Sequence, residues 1–165
     1  MLRNLGLILP VRWNLATAKP VLGINPAEKL LTNGIRGSLK YSDFEWCSWT
    51  NNDSVSFTID LLKPEVLNTL TLGCITNNGM AIHKPASVKV EVSDDNSNFR
   101  EAAMQSFTPE EIFREGNFIE NLPLKLGGTQ GRYVRVSAKG PGVCPASHVR
   151  SGQASRIFFD EVMLE

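Results

Sequence analysis

The chain has 165 residues, of which 42% are hydrophobic and 21% are charged, a composition that is ordinary for a globular domain and argues against disorder. Seventeen basic residues balance seventeen acidic ones, and the charges are dispersed along the chain without a basic stripe. Nucleic acid and anionic membrane surfaces are therefore not expected as partners, whereas a neutral sugar or a protein surface fits this charge balance.

One domain accounts for the whole length, so we expect residues 1–165 to form a single unit. No run approaches the ~20 apolar residues that a membrane-spanning helix needs. The domain-like beginning and the abrupt end suggest a segment excised from a longer protein, with residues 164–165 derived from a vector.

The first informative element is a loop at residues 31–38, where Gly34 and Gly37 allow a sharp change of direction. Asn33 and Ser38 place side-chain oxygens on the same loop. Such a loop either locks a strand in place or holds a hard cation through oxygen ligands.

Alternating apolar and polar residues then predict half-buried strands, and two more continuously apolar runs predict central strands. The alternating segments are 54–60, 87–93 and 133–137, and the apolar runs are 66–75 and 156–164. Turn-forming residues separate them at 63–64, 77–79, 94–98, 126–128 and 140–142. Many short strands separated by such turns are typical of an all-β sandwich or barrel.

A single short helix is predicted after Thr108. Thr108 is a suitable cap, Pro109 suits the first helical position, and Glu110 and Glu111 interact favourably with the helix dipole. We expect this helix to be incidental to function. The segments 39–53 and 140–155 are predicted to be irregular, which is where binding groups usually lie in a compact β-domain.

The cysteines, Cys47, Cys74 and Cys144, are widely spaced and do not form a close pair of the kind found in zinc or dithiol motifs. Three cysteines allow at most one disulfide within the chain. Their number does not indicate a compartment.

The order of these motifs resembles that of the discoidin, or coagulation factor 5/8 type C, domains, which are also classed as family 32 carbohydrate-binding modules. Six segments carry the resemblance in the family's order: 14–21, 31–38, 57–61, 85–99, 132–136 and 157–162. The resemblance implies a galactose-binding-like jelly-roll β-sandwich.

The "LTNGIRGS" sequence of residues 31–38 and its tryptophan-rich continuation are most similar to modules appended to bacterial family 20 β-hexosaminidases, or chitobiases. This implies a non-catalytic, monomeric accessory module that tethers a periplasmic or extracellular glycoside hydrolase to its glycan. The implied partners are an N-acetylhexosamine- or galactose-type sugar and the catalytic domain of the same polypeptide. A discoidin-type module for protein or lipid surfaces is the alternative.

The resemblance also implies a structural calcium ion between the early loop and the closing strand. The transferable positions are Asn33, Ser38 and Glu161, helped by backbone carbonyls. Asn33 stands where the family usually has aspartate, and a neutral amide binds a cation less strongly. The alternative is a metal-free loop held by hydrogen bonds of Asn33 and Ser38.

The candidate sugar-binding residues combine an aromatic face with polar groups, and they are Trp49, His83, His148 and Arg150. Trp46 is expected to cover the sandwich core instead, and the same core position is the alternative for Trp49. Asn77 and Asn78 join His83 in a second candidate cluster, for which turn formation is the alternative. Ser147 and Ser155 stand near places where related modules have tryptophan.

A small hydrolase is the least favoured function. Glycosidase chemistry needs two carboxylates held across a cleft. Residues 110–111 belong to the predicted helix start and residues 160–161 to a strand, and neither pair has a predicted facing partner. Residues 94–98 lack the central Gly and terminal Glu of an EF-hand loop, so they predict a hairpin turn.

Overall fold

The structure, a computed structural model, describes residues 30–49 and 54–165, together with the backbone of residues 12–15. Seven strands in this part of the chain form one sheet whose pairings are all antiparallel. They are β1 (Arg12–Leu15), β2 (Cys47–Trp49), β3 (Val55–Asn77), β4 (Ser87–Ser93), β5 (Arg100–Ser106), β6 (Asn117–Lys139) and β7 (Ile157–Leu164). Their order is β2-β7-β3-β6-β4-β5, and β1 pairs with β3.

Two strands of 23 residues, β3 and β6, run along most of the molecule, where shorter strands were predicted. The turns predicted at 63–64 and 126–128 are bends inside these strands. Their pairing shifts register between Asp60 and Glu65, where Leu62 adopts a φ of 68°, and again opposite Gly127 and Gly128. Irregular residues of this kind bend a strand without ending its hydrogen-bonded ladder, so the sheet curves into the predicted jelly-roll sandwich.

The main core lies between the curved faces of the sheet. Alternate residues of β3 and β4, such as Phe57, Ile59 and Val90, point into it and are at most 1% exposed. β7 lies between β2 and β3. Seven of its eight residues are buried, because one face packs into the main core and the other is covered by Trp46 and the loop of residues 31–38. This confirms its prediction as a central strand, and β3 is central as predicted because it lies between β7 and β6.

The predicted helix is present as α1 (Pro109–Ile112), with a capping box at its start. Thr108 Oγ1 accepts a hydrogen bond from the backbone N–H of Glu111, and Glu111 Oε2 accepts one from the backbone N–H of Thr108 at 2.7 Å. The two side chains thus accept hydrogen bonds from two backbone N–H groups that have no partner within the helix, which explains why so short a helix forms here.

The predicted turns at 77–79 and 94–98 are also present. A 3-10 turn spans Asn78–Met80, and residues 94–98 connect β4 to β5. Asp95 Oδ1 accepts hydrogen bonds from the backbone N–H groups of Ser97 and Asn98, so this carboxylate closes the hairpin. Within the described ranges, no helix has the length and apolarity required to cross a membrane.

The two segments predicted to be irregular differ. Residues 140–155 contain only an isolated bridge between Val143 and Ala154, as expected. The aromatic segment 39–53 contains β2, which pairs with β7, while residues 50–53 lie outside the described part. Of the predicted opening strand at 14–21, only residues 14 and 15 are described, and both belong to β1.

Candidate functional site

Among the described residues, we consider two places where polar side chains gather outside the core. The first is the contact between the loop of residues 31–38 and β7, which we call the clamp. Asp160 Oδ2 accepts hydrogen bonds from Arg36 Nε at 2.7 Å and from the Gly37 N–H at 2.9 Å. Glu161 Oε2 accepts one from the Gly34 N–H at 2.9 Å. The structure therefore brings the loop and Glu161 together, as the sequence predicted.

The other two predicted calcium ligands use their oxygens within the loop. Asn33 Oδ1 accepts a hydrogen bond from the Ile35 N–H at 2.8 Å, and its amide donates to Glu45 Oε2 at 2.8 Å. Ser38 Oγ accepts one from the Lys40 N–H at 3.2 Å. Both oxygens thus bond to backbone N–H groups close by in sequence, and neither side chain is bonded to Glu161.

Two carboxylate oxygens of the clamp remain buried without a hydrogen-bond partner, Glu161 Oε1 and Asp160 Oδ1. Burial raises the pKa of Glu161 to about 7, with a smaller contribution from the neighbouring Asp160 carboxylate, and the Gly34 N–H opposes the shift. A buried carboxyl short of positive partners binds either a proton or a cation. The oxygen chemistry of the clamp thus fits calcium.

The second place is a cavity of about 390 Å³ at one end of the sandwich. It lies where the 3-10 turn, the segment after α1 and the loop 140–155 meet. Its walls offer amide, carboxylate, hydroxyl and imidazole groups beside apolar surface. The lining residues are Asn78, Phe113, Glu115, Gly116, Pro145, Ser147, His148 and Val149.

Of the four predicted sugar-binding residues, only His148 lines this cavity. Arg150 instead ties the cavity wall to the 3-10 turn, because its Nε donates to the Gly79 carbonyl at 2.7 Å. Its backbone N–H donates to Nδ1 of His148 at 2.9 Å. Arg150 therefore positions the imidazole.

The hydrogen bonds of His148 define its tautomer. Because Nδ1 accepts from the Arg150 N–H, the proton of a neutral ring lies on Nε2. Nε2 is 3.0 Å from the amide of Asn78, whose Oδ1 is buried without a partner. Turning that amide places Oδ1 where it accepts from Nε2–H and removes the contact between two donors, and this is the orientation we assign.

His83 is fully buried behind His148 and has no contact with the cavity surface. Its ring lies edge-on to His148 at 4.9 Å and to Phe113 at 5.0 Å. Burial lowers the pKa of His83 to about 4, and the neighbouring His148 contributes in the same direction. His83 thus stays neutral and supports the cavity from behind.

The prediction that Trp49 presents a face to a sugar is wrong for this structure. Trp49 is 3% exposed, belongs to the main core and packs against Phe159 with ring centroids 5.6 Å apart. The pairing of β2 with β7 turns it inward. Trp46 is 1% exposed, as expected for a residue that covers the core.

Phe113 and Glu115 are cavity residues that the sequence analysis missed, because the helix before them was interpreted as incidental. Phe113 is the C-cap of α1, and it lines the cavity beside Asn78. The available signal was the strong capping box, which fixes where the helix ends and hence where the aromatic side chain emerges. Ser147, one of the two serines singled out from the sequence, also lines the cavity.

The fold and the loop cavity at its end define a class of β-sandwich binding domain, and comparison with known proteins identifies the family. The profile of the F5/8 type C domain matches residues 19–151, which is most of the chain. The chain belongs to the F5/8 type C domain family. No curated protein sequence matches it.

Similar solved structures cover nearly the whole chain at low sequence identity, and what they show is the fold. The C-terminal domain of a chitobiase from Bacteroides fragilis is 17% identical, covers 93% of this chain and 92% of its own, and has a TM-score of 0.53. The module CpGH89CBM32-5 from Clostridium perfringens, in complex with GalNAc-β-1,3-galactose, is 16% identical, covers 93% and 94%, and has a TM-score of 0.56. A GH31 CBM32-2 structure bound to GalNAc is 13% identical, covers 94% and 97%, and has a TM-score of 0.57.

Proposed function

We propose that this chain is a non-catalytic carbohydrate-binding module that binds a glycan in the cavity beside α1. The observation that carries the proposal is the convergence of the Phe113 ring with the polar groups of Asn78, Ser147 and His148 in one cavity. A pyranose has an apolar C–H face and a rim of hydroxyls, so it requires this combination of an aromatic surface and directional hydrogen-bonding groups.

The class of sugar we propose is an N-acetylhexosamine or galactose type. Its support comes from two solved relatives with the same fold, whose bound sugars are GalNAc and GalNAc-β-1,3-galactose. The cavity of about 390 Å³ lies near the lower end of the range for small-ligand sites, which suits one sugar ring better than a long chain.

The proposed biological role is attachment of a chitobiase or related β-hexosaminidase to its substrate, in the periplasm or outside the cell. The similarity to the C-terminal domain of a chitobiase supports this parent enzyme. A weak monomeric module is useful in that setting, since linkage to a catalytic domain raises the effective concentration of substrate without new chemistry.

A surface-binding role is the second candidate, and one observation favours it. Val149 and Val143, both on the loop 140–155, are 75% and 52% exposed. Exposed apolar loop tips are what a discoidin-type module uses to dock on a protein or lipid surface. Binding to phospholipid vesicles that is lost in a Val149→Ser variant, without binding to any glycan, would favour this role.

The glycan proposal predicts that Phe113→Ala and His148→Ala each weaken binding of GalNAc or galactose about tenfold, equivalent to about 1.4 kcal/mol. Phe113→Ala removes the apolar platform, and His148→Ala removes a positioned polar group. Isothermal titration with the free sugars, after a glycan array has identified the preferred one, measures the change.

The matched control for this experiment is Phe44→Ala, which removes a phenylalanine that is 62% exposed and does not line the cavity. Its affinity should equal that of the wild type. Wild-type affinity in both cavity variants, with melting temperatures showing that they are folded, would contradict the proposed site.

We further propose that the clamp binds a structural calcium ion through Glu161, with Asn33, Ser38 and backbone carbonyls of the loop as additional oxygen ligands. The unpartnered Oε1 of Glu161 supports this proposal, because it is a buried oxygen that a cation or a proton would satisfy. Occupancy would require Asn33 and Ser38 to exchange hydrogen bonds within the loop for metal contacts.

This proposal predicts a characteristic pH dependence. With the folded pKa of Glu161 at about 7 and the ordinary value at 4.5, the folded protein binds this proton more tightly than the unfolded chain. In chelator, the contribution of Glu161 to stability is therefore complete below pH 4.5 and is lost as pH rises through 7. Calcium requires the carboxylate, so its stabilising effect should grow over the same range and raise the melting temperature by several degrees at pH 8.

The control is Glu161→Gln, which should remove both the pH-dependent loss and the response to calcium. It is needed because His83 acts oppositely: its lowered pKa makes stability fall as pH decreases from 6.5 to 4. A wild-type melting temperature at pH 8 that is the same in calcium and in chelator would reject the calcium site.

A further inference from the structure

Three side chains with metal-binding atoms meet behind the cavity. The ligand atoms of His83, Cys144 and His148 all lie within 4.8 Å of one another, and among the described residues they are the one group of His, Cys, Asp or Glu side chains placed so closely. They are 0%, 2% and 9% exposed. This cluster is separate from the clamp and shares His148 with the proposed sugar site. The thiol of Cys144 lies 3.4 Å from Ser155 Oγ, but neither the fold nor the sugar accounts for the burial of His83.

The strongest sign that the cluster lacks a component is His83. Both of its ring nitrogens are buried without a hydrogen-bond partner. The backbone of Ile112 lies close enough to influence the ring, but outside normal hydrogen-bond geometry. Leaving a buried imidazole unpaired costs free energy. The metal-binding groups closest to the His83 ring are the thiol of Cys144 and the imidazole of His148.

The chemistry of the three groups selects the kind of metal. Two imidazoles and a thiolate are borderline-to-soft ligands, which suit Zn²⁺ and related transition metals and do not suit Ca²⁺ or Mg²⁺. In a tetrahedral zinc site, ligand atoms of this type lie about 3.3–3.6 Å apart. The observed separations of up to 4.8 Å therefore need to close by at most about 1.2–1.5 Å, a distance within the reach of side-chain rotation.

The backbone already holds the three positions in place. The N–H of Cys144 donates to the Gln153 carbonyl at 2.9 Å, and the N–H of His83 donates to the Arg156 carbonyl at 3.1 Å. His148 lies in a turn closed by its N–H and the Pro145 carbonyl. A site on a fixed backbone binds metal with little ordering cost.

We propose that His83, Cys144 and His148 form a binding site for a transition-metal ion of the Zn²⁺ class, beneath the cavity and sharing His148 with the proposed glycan site. The three protein ligands leave a fourth position for a water molecule. Binding releases the thiol proton of Cys144 and costs His148 one of its present hydrogen bonds, to the Arg150 N–H or to Asn78. The metal would join the loop carrying Cys144 and His148 to the segment before β4.

The test uses the whole chain, stripped of metal with chelator and titrated with Zn²⁺ or with Co²⁺ as a spectroscopic substitute. We expect one equivalent to bind per chain, a rise in melting temperature with Zn²⁺, and a thiolate-to-cobalt charge-transfer band with Co²⁺. Cys144→Ser should abolish that band and weaken Zn²⁺ binding by at least about tenfold. His148→Gln should weaken Zn²⁺ binding by a similar factor.

The matched control is Cys47→Ser, which removes another buried thiol that lies outside the cluster. It should keep the band and the affinity, and Glu161→Gln, which alters the clamp, should do the same. Absence of Zn²⁺ binding to the wild type would overturn the proposal, and so would equal affinity in the wild type and Cys144→Ser, or loss of the band in Cys47→Ser. Circular dichroism of the metal-free variants establishes that each is folded before titration.

Discussion

An Arg36→Met variant is expected to lose about 3 kcal/mol of unfolding free energy, which for a chain of this size lowers the melting temperature by roughly 6–12 °C. Arg36 Nε is 2.7 Å from Oδ2 of Asp160, whose side chain is fully buried and whose Oδ1 has no partner. Removing the guanidinium leaves that carboxylate buried with only the Gly37 N–H to satisfy it. Methionine retains most of the aliphatic stem of arginine, so the loss of unfolding free energy measures the effect of removing the charged group.

The Arg36 side chain is 34% exposed, which places the expected cost at the lower end of the range for a broken buried ion pair. Arg114→Met is the matched control. Arg114 pairs with Glu120 at 2.9 Å, but its own side chain is 58% exposed and Glu120 keeps Lys84 as a second partner at 2.8 Å. The control should cost at most about 1 kcal/mol. Equal losses in urea denaturation of the two variants would contradict the assigned importance of the clamp.

The second large effect is expected from Gly37→Ala, which should destabilise the protein by about 2–3 kcal/mol. A Cβ at this position would lie 2.2 Å from the indole of Trp46. The indole has little freedom to retreat, because it is 1% exposed and its Nε1 donates to the Ser38 carbonyl at 2.9 Å. The loop would have to move away from β7, and the hydrogen bond from Gly37 to Asp160 would be strained.

Gly79→Ala provides the comparison for this substitution. The added Cβ would meet its nearest atom, Asn77 Oδ1, at 3.5 Å, which is an ordinary contact, and Gly79 has no positive φ. Its melting temperature should stay within a few degrees of the wild type. If the two alanine variants had the same melting temperature, the close packing of Trp46 on Gly37 would not be a constraint on this loop.

One strand connects the clamp to the cluster of His83, Cys144 and His148. β7 carries Asp160 and Glu161 in its middle, and the residue before its start, Arg156, hydrogen-bonds through its carbonyl to the backbone of His83. The two proposed metal sites nevertheless differ in chemistry, since one offers carboxylate and carbonyl oxygens and the other imidazole and thiolate. The two sites should therefore be distinguishable in solution by their different affinities for calcium and zinc.

Local patterns predicted much of the fold. The alternation of β4 gave its bounds, Ser87–Ser93, because a period of two is a property of the strand itself. The capping box at Thr108 marked the helix for the same reason. The bends in β3 and β6 were predicted to be turns, because glycines, proline and residues with positive φ occur both in bulges and in chain reversals. Only the pairing with a neighbouring strand distinguishes a bulge from a chain reversal.

The sequence by itself determined the all-β class, the order of motifs that places the chain in its family, and the meeting of the 31–38 loop with Glu161 that this order implied. The tertiary structure decided which side chains reach the cavity. The pairing of β2 with β7 buries Trp49, and the point at which α1 ends places Phe113 in the cavity wall. His83 and Cys144 are 61 positions apart, and no local periodicity encodes their meeting, because it depends on how the segments before β4 and before β7 pack together.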